Sequence, residues 1–285
     1  MVRSQGAPAD RVRALVRSRA GETAARAVSD SYQRLGRVLL LRLPEEVRPQ
    51  FPAIGRAWQE VLGVATVLRH RGPAEGERRT PRVERIAGTG TTTEVVEHGV
   101  RFRFDAARTM FSRGNGGERA RAGAATRPGE TVVDLFAGIG YFVLPALVVG
   151  GAAGAYAVEE NPESYRSLVE NLRLNGVEDR AVALLGDNRE LPLPVRGADR
   201  VFLGYLPSAV PWIPTALDLV RPGATLHVHL VVDSRNDRAG AEATVVEAVG
   251  RTGSVVHGST ARRVKPYGPG RSHVVVDVVV TPRAA

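Results

Sequence analysis

The chain contains no cysteine among its 285 residues, which excludes disulfides, thiolate nucleophiles and cysteine metal sites together. Long apolar segments are missing too. Runs such as VVVDVVV near the end are far shorter than the roughly 18 residues of a membrane-spanning helix. The first 30 residues have no apolar core of a signal peptide. We therefore expect a cytoplasmic protein with no membrane association.

Lysine is almost absent, since Lys265 is the only one and the other basic residues are arginine. This bias, with abundant Ala, Val, Gly and Pro, suggests a GC-rich bacterial genome. Residues 1–105 hold 19 arginines against 12 acidic residues, a net +7, whereas residues 106–285 hold 20 basic against 18 acidic residues, a net +2. The basic first third indicates either a nucleic-acid surface or a solvated arginine-rich face, and charge alone does not separate them.

Apolar periodicity divides the chain into three parts. Residues 1–30 predict a helical segment interrupted near Gly21. Residues 31–105 predict a small α+β domain, with a helix over 51–63 and a hairpin that turns at His98-Gly99. Residues 106–285 predict a separate S-adenosylmethionine-binding catalytic domain, for the reasons given next.

Strand-like and helix-like segments alternate in the third part. Such alternation predicts βαβ units and a seven-stranded, mostly parallel, doubly wound α/β sheet of the class I methyltransferase (Rossmann-like) type. The strand-like segments are 131–136, 153–159, 181–187, 198–204, 224–232, 253–260 and 273–281. The helix-like segments are 109–126, 141–150, 162–176 and 210–223.

The stretch TVVDLFAGIGYF (131–142) places a Gly-x-Gly loop between a strand and a helix. Gly138 and Gly140 would let a ligand approach the backbone closely, although a plain tight turn would look the same. Glu159 ends the next strand, 21 residues after Gly138, where a carboxylate can accept hydrogen bonds from ribose hydroxyls. The pair Asp187-Asn188 follows the third strand and can read an adenine edge.

This succession of acidic strand ends favours an adenosyl ligand. A NAD site would have a fuller GxGxxG loop, but Val143 stands at its third position, and the GxxxxGK[ST] loop of an ATP site is absent. S-adenosylmethionine therefore fits best.

Several motifs together resemble the family of tRNA guanosine methyltransferases and wyosine-base modifying enzymes. They extend over roughly residues 30–281: GERRTPRVERIAGTG (76–90), HGVRFRFDAARTMFS (98–112), MFSRGNGGER (110–119), VDLFAGIGYF (133–142), AVEENPESYRSLVENLRLN (157–175), GDNRE (186–190), ADRVFLGYL (198–206) and KPYGPGRSHVVVDV (265–278).

The resemblance implies one of two reactions. One arm of the family methylates N1 of a tRNA guanosine and has an Asn-x-Pro motif after the fourth strand. The other transfers the 3-amino-3-carboxypropyl group of S-adenosylmethionine to a tricyclic tRNA base and has Gly-Tyr there. This sequence reads Gly204-Tyr205, so it resembles the aminocarboxypropyl-transferring arm.

The resemblance also implies which residues contact the donor. Glu159 would hold the ribose, Asp187 and Asn188 the adenine, and Ser112 and Arg119 would reach toward the methionine end. The full set of expected donor-binding residues is Ser112, Arg119, Phe136, Gly138, Gly140, Glu159, Asp187 and Asn188.

The carbon that is attacked depends on which one is held in line with the nucleophile. The acceptor needs to lose a proton, and the candidate groups are Tyr205, His229 and Asp187. His227 and His229 share a strand face, but a third metal ligand is missing, so we expect a packing role over a metal site.

The acceptor stays open at this point. The basic first third favours RNA. The bacterial composition favours a small nucleophile, such as a phenol in nocardicin-type antibiotic biosynthesis, and the balance leans slightly to the small molecule. The alternatives are a tRNA guanosine N1-methyltransferase and a non-catalytic RNA-binding module. The oligomeric state does not follow from the sequence.

Overall fold

The computed structural model describes residues 7–72, 76, 80–235 and 237–284. Parts of the predicted segment 1–30 and of the motif at 76–90 lie outside these residues. The chain divides into two compact units, Met1–Val96 with Arg103–Phe111, and Glu97–Phe102 with Ser112–Ala285. The domain limits expected at residues 30 and 105 stay predictions.

The first unit contains a four-stranded sheet with the order β1-β2-β3-β4. Its helix α3 begins with a proline in the first turn and buries Phe51, Ile54 and Trp58, which the helical spacing predicts. The polar strands β1 and β4 were not predicted. The elements are α1 (Pro8–Ala20), α2 (Glu22–Arg26), β1 (Tyr32–Leu35), β2 (Val38–Leu41), α3 (Phe51–Leu62), β3 (Thr66–His70) and β4 (Val83–Gly88).

A two-stranded sheet follows, formed by β5 (Thr92–Glu97) and β6 (Val100–Asp105). His98 and Gly99 both have positive φ, 50° and 81°, which is the backbone that a tight hairpin turn requires. The predicted hairpin is therefore confirmed.

The second unit contains a seven-stranded sheet with the order β12-β13-β11-β10-β7-β8-β9. Only β13 runs antiparallel to its neighbours, β11 and β12, while β7 to β11 pair in parallel. The strands are β7 (Thr131–Asp134), β8 (Gly154–Glu159), β9 (Ala181–Leu185), β10 (Ala198–Leu203), β11 (Val220–Asp233), β12 (Val255–Gly268) and β13 (Arg271–Thr281). The predicted fold class is confirmed, and the strand order reverses between β7 and β10, where such sheets bind ligands.

Helices flank this sheet, and two of them differ from expectation. The segment predicted at 210–223 is helical only over a 3-10 turn and α7, because β11 already begins at Val220. The helix α8, rich in Ala, Gly and Val, was not predicted because its apolar residues form no clear stripe. The helices are α4 (Gly116–Ala125), α5 (Val143–Val148), α6 (Pro162–Leu174), α7 (Ile213–Leu217) and α8 (Asp237–Gly250).

The centre of the sheet is covered on both faces. Val274, Val276, Val278 and Val280 on one face of β13 are all buried, as are most residues of β10 and β11. Near-continuous apolar strands are typical of sheets buried on both sides. By contrast β12 is an edge strand with mostly exposed residues, and its polar sequence explains why only residues 253–260 were predicted to be extended.

Candidate functional site

The glycine loop connects β7 to α5 at the point where the strand order reverses. Gly138 and Gly140 have φ of 58° and 100°, which side chains other than glycine rarely adopt. A Cβ on Gly138 would lie 2.4 Å from a ring carbon of Tyr141, and one on Gly140 would lie 2.6 Å from the side chain of Leu144. The loop therefore needs both glycines for its own fold.

Glu159 at the end of β8 is held against this loop. Its Oε2 accepts a hydrogen bond from the Gly138 backbone N–H at 2.8 Å, and its Oε1 accepts one from the Asn161 N–H at 2.8 Å. The side chain is half-buried. Each carboxylate oxygen can accept more than one hydrogen bond, so the ribose hydroxyls of a ligand could bind here without displacing the backbone.

Asp134 lies beneath the loop, fully buried at the end of β7. Its Oδ1 accepts a hydrogen bond from the Phe136 N–H at 3.1 Å, while its Oδ2 has no hydrogen-bond partner among the described residues. Burial, together with the negative charge of Glu159, raises the pKa of Asp134 to about 7. A carboxyl that is partly protonated at neutral pH thus supports the loop.

The two polar residues after β9 have different surroundings. Asp187 is partly exposed, and its hydrogen bonds from Arg189 lower the pKa of its carboxyl. Asn188 is buried, and its Nδ2 donates to the Leu135 carbonyl at 2.6 Å while its Oδ1 accepts from the Trp212 indole at 2.7 Å. The expectation that both side chains read adenine therefore fits Asp187 better, because both ends of the Asn188 amide are engaged in the fold.

An aromatic cluster of Phe136, Tyr205 and Trp212 lies beside Asn188. The three ring centroids are 5.0 to 5.2 Å apart, and all three side chains are half-buried. Phe136 follows β7 and Tyr205 follows β10, so the cluster lies at the strand reversal. Trp212 was not among the site residues expected from the sequence. An apolar surface that includes a half-buried phenol is well suited to a flat ligand.

Ser112 and Arg119 belong to the helical segment in front of the sheet. Arg119 is buried, and its Nη2 and Nε donate to Glu97 Oε2 at 2.5 and 2.8 Å. Its Nη2 also donates to the Ser112 carbonyl at 3.1 Å. Its guanidinium lies 5.9 Å from the Tyr141 ring of the glycine loop. Ser112 Oγ accepts a hydrogen bond from Lys265 Nζ at 2.6 Å. Arg119 and the loop are therefore neighbours, and the expected contact of Ser112 and Arg119 with the donor stays a prediction.

His229 lies on an interior strand of the sheet, and its side chain is buried. It is 2% exposed, its ring is 5.0 Å from that of Phe142, and its Nδ1 is 3.0 Å from His273 Nε2. Burial, with the nearby charge of His273, holds the pKa of His229 well below its usual value. A ring with so little exposure cannot take a proton from an acceptor in this conformation, so the structure disagrees with our expectation of a catalytic His229 and favours a packing role.

His227 anchors a buried polar network that sequence reasoning missed. Arg200 lies 2.7 Å from His227 Nε2, and arginine can only donate, so Nε2 accepts and the Nδ1–H donates to Asp277 at 2.5 Å. Arg121 joins Asp277 to Glu118 on α4. The network fixes α4 to β11 and β13, and the lone acid of the VVVDVVV run, Asp277, was its visible signal.

No helix within the described part of the chain is long and apolar enough to cross a membrane. The described residues also contain no group of three or more His, Asp and Glu side chains arranged to bind a metal ion.

Two family models match the chain. The TRM5/TYW2 methyltransferase domain matches residues 93–249, and the TYW2 N-terminal domain matches residues 12–91. The chain is 38% identical over 279 residues to the tRNA(Phe) (4-demethylwyosine(37)-C(7)) aminocarboxypropyltransferase of Pyrococcus horikoshii, a match that covers 98% of this chain and 99% of that protein.

Comparison with solved structures points to the same family. The crystal structure of P. horikoshii TYW2 in complex with MeSAdo is similar with a TM-score of 0.84 and 36% identity, over 96% of this chain and 99% of that one. The structure of M. jannaschii TYW2 in complex with AdoMet has a TM-score of 0.71 and 27% identity, over 88% and 100%. The resemblance inferred from the motifs is thus confirmed, and the chain belongs to the TRM5/TYW2 family.

Proposed function

We propose that this chain transfers the 3-amino-3-carboxypropyl group of S-adenosylmethionine to a wyosine-type base of tRNA and releases methylthioadenosine. The expected transferase class and donor agree with the aminocarboxypropyltransferase to which nearly the whole chain is similar and with the AdoMet and MeSAdo complexes of structural relatives. The expected lean to a small-molecule acceptor finds no support, because these relatives are named for tRNA modification.

The segment after β10 carries the choice between the two reactions. It reads Gly204-Tyr205-Leu206-Pro207, without the asparagine of the methylating arm. A Cβ on Gly204 would lie 2.9 Å from a ring carbon of Phe142. That ring is fixed between Phe202 and His229, so an asparagine at position 204 would not fit without rearrangement. An Asn-x-Pro motif that ends at Pro207 would place its asparagine at position 205, where Tyr205 stands. The preference for aminocarboxypropyl transfer therefore rests on the missing asparagine, and the packing shows only that position 204 has no room for a side chain.

The residues around the glycine loop fit the donor. Gly138 lies beside Glu159 at the strand reversal, Glu159 offers carboxylate oxygens at the ribose position, and Asp187 follows β9. When bound, S-adenosylmethionine supplies an electrophilic Cγ, whose bond to sulfur breaks as the acceptor carbon attacks, so that a neutral thioether leaves.

The chain has to orient that arm and take up one proton. Arg119 lies next to the loop, but its guanidinium is buried and paired with Glu97, so its expected contact with the methionyl carboxylate requires that this pair opens. The phenol of Tyr205 lies half-exposed in the aromatic cluster, where the acceptor base can stack. Tyr205 and Asp187 are the remaining candidates for the proton acceptor, since His229 is enclosed.

Product analysis tests this function. The protein is incubated with S-adenosylmethionine labelled in the methionyl carbons and with tRNA that carries the tricyclic precursor base, and a simple phenol replaces tRNA in a parallel reaction. We expect label in tRNA and an equal amount of methylthioadenosine. Formation of S-adenosylhomocysteine would indicate methyl transfer instead. Label in the phenol but not in tRNA would contradict the tRNA acceptor.

A further inference from the structure

A cavity of about 490 Å³ lies at the edge of the seven-stranded sheet, between α8 and β12. None of its lining residues belongs to the donor site described above. They are Ser234, Arg238, Ala261, Arg262 and Arg263. Three arginines thus line this cavity, in a part of the chain that is nearly neutral as a whole, and Arg262 directs its guanidinium away from the cavity to Asp277.

The three arginines have different surroundings. Arg262 is half-buried and donates to Asp277 at 2.8 Å, so it belongs partly to the buried network. Arg238 and Arg263 are exposed. Residues 261–271 continue the basic character along the β12–β13 hairpin, with four basic residues and no acidic one. The cavity therefore lies within a longer cationic strip.

Fold stability does not explain this arrangement. Charged side chains often protect an exposed edge strand from pairing with another chain, and this accounts for Arg263 on β12. It does not account for Arg238, which lies on a neighbouring helix. Arg238 is also in the first turn of α8, where the helix dipole disfavours a cation. An anion bound beside Arg238 would offset this cost.

We infer that this cavity binds a phosphate of the RNA backbone, an inference that rests on the proposed tRNA acceptor. Guanidinium groups bind phosphate oxygens through paired, charge-assisted hydrogen bonds. The Ser234 hydroxyl, 2.9 Å from the hydroxyl of Ser272, adds a neutral hydrogen-bonding group to the lining. Such a contact positions the RNA and reads no sequence.

The salt dependence of tRNA binding tests the inference. The variant Arg238→Ala/Arg263→Ala is compared with the wild type by titrating tRNA at several KCl concentrations. Loss of a phosphate contact should lower the slope of log affinity against log salt by about 1 and weaken binding roughly ten-fold. The KM for tRNA should rise in parallel, with kcat and the affinity for S-adenosylmethionine unchanged. Arg262 is left intact because it holds Asp277.

Arg251→Ala provides the matched control, because Arg251 is an exposed arginine that follows α8 and pairs with Glu247. Equal effects of the control and the double variant would overturn the inference, since only general charge would matter. The inference would also be overturned if inorganic phosphate binds in the cavity but the double variant has the same salt slope of tRNA binding as the wild type. The ligand would then be a free anion. A wild type that never modifies tRNA would instead contradict the proposed function.

Discussion

The indole N–H of Trp212 donates a hydrogen bond to the side-chain oxygen of Asn188 at 2.7 Å, and the nitrogen of that amide donates to the Leu135 carbonyl at 2.6 Å. One buried amide thereby joins the segments that follow β7, β9 and β10. Phe136, next to Leu135, and Tyr205 both contact Trp212. Asn188 therefore determines the shape of the aromatic cluster.

Replacing Asn188 should separate this structural role from adenine recognition. Asn188→Ala leaves the Trp212 N–H and the Leu135 carbonyl unpaired, so the free energy of unfolding of the ligand-free protein should fall by about 1–3 kcal/mol. Asp187→Ala should leave that stability nearly unchanged and weaken donor binding. Urea unfolding and donor titration of both variants check this. An unchanged stability of Asn188→Ala would show that the amide does not brace the cluster.

Glu159→Gln tests the ribose position. Glutamine keeps one oxygen for the Gly138 or Asn161 N–H but loses the charge and one acceptor, and hydrogen bonds to charged groups contribute about 1.5–3 kcal/mol. We expect the Kd for S-adenosylmethionine, measured by calorimetry, to rise roughly 10- to 100-fold. Glu160→Gln is the matched control, because Glu160 is the exposed neighbour. Equal affinities of the two variants would refute this placement.

Gly204→Asn tests whether the packing at position 204 excludes a side chain. The new side chain would collide with the enclosed Phe142 ring, so we expect loss of stability and of methylthioadenosine formation, with no gain of S-adenosylhomocysteine. Chromatography of the products and thermal unfolding measure both effects. Gly154→Ala on β8 is the control, since its Cβ would meet only the Arg180 carbonyl at 4.0 Å. A stable Gly204→Asn enzyme that methylates tRNA would show that position 204 selects the reaction without a steric barrier.

The sheet was predictable because its strands are apolar runs separated by helical or glycine-containing segments, and this pattern is local. The glycine loop was predictable for the same reason. Glu159 was predictable because it ends the next strand, 21 residues after Gly138. Polar elements were not predictable in this way. The edge strand β12 and the strand β1 have no apolar alternation, so tertiary pairing rather than sequence pattern makes them extended.

The site chemistry was less predictable than the backbone. His229 and His227 share a strand face in the sequence, but whether that face meets solvent depends on Phe142, His273 and Asp277, which lie at least 44 residues away. Asn188 was assigned by family resemblance to adenine, and only the three-dimensional arrangement reveals its two internal hydrogen bonds. Long-range partners decide whether a polar residue is available to a ligand.

Asp134 should make the stability of the protein depend on pH between about 4 and 7. Its pKa is raised from 3.8 to about 7 by burial, so over this range the folded state holds a proton that the unfolded state has lost. Stability from this carboxyl is therefore fully present at low pH and is lost as pH rises toward 7, by at most about 4 kcal/mol. Asp134→Asn mimics the protonated form and removes this dependence.

Chemical unfolding of the wild type and Asp134→Asn at pH 5 and pH 8 measures the effect. Every other titrating group is common to both proteins, so the change in their stability difference isolates Asp134. Between pH 5 and pH 8, we expect the free energy of unfolding of the variant to rise relative to that of the wild type by about 2–3 kcal/mol. Asp218→Asn changes an exposed carboxyl. Its free energy of unfolding should change between pH 5 and pH 8 by the same amount as that of the wild type. A constant difference between wild type and Asp134→Asn would mean that Asp134 stays ionised in the folded protein at pH 5.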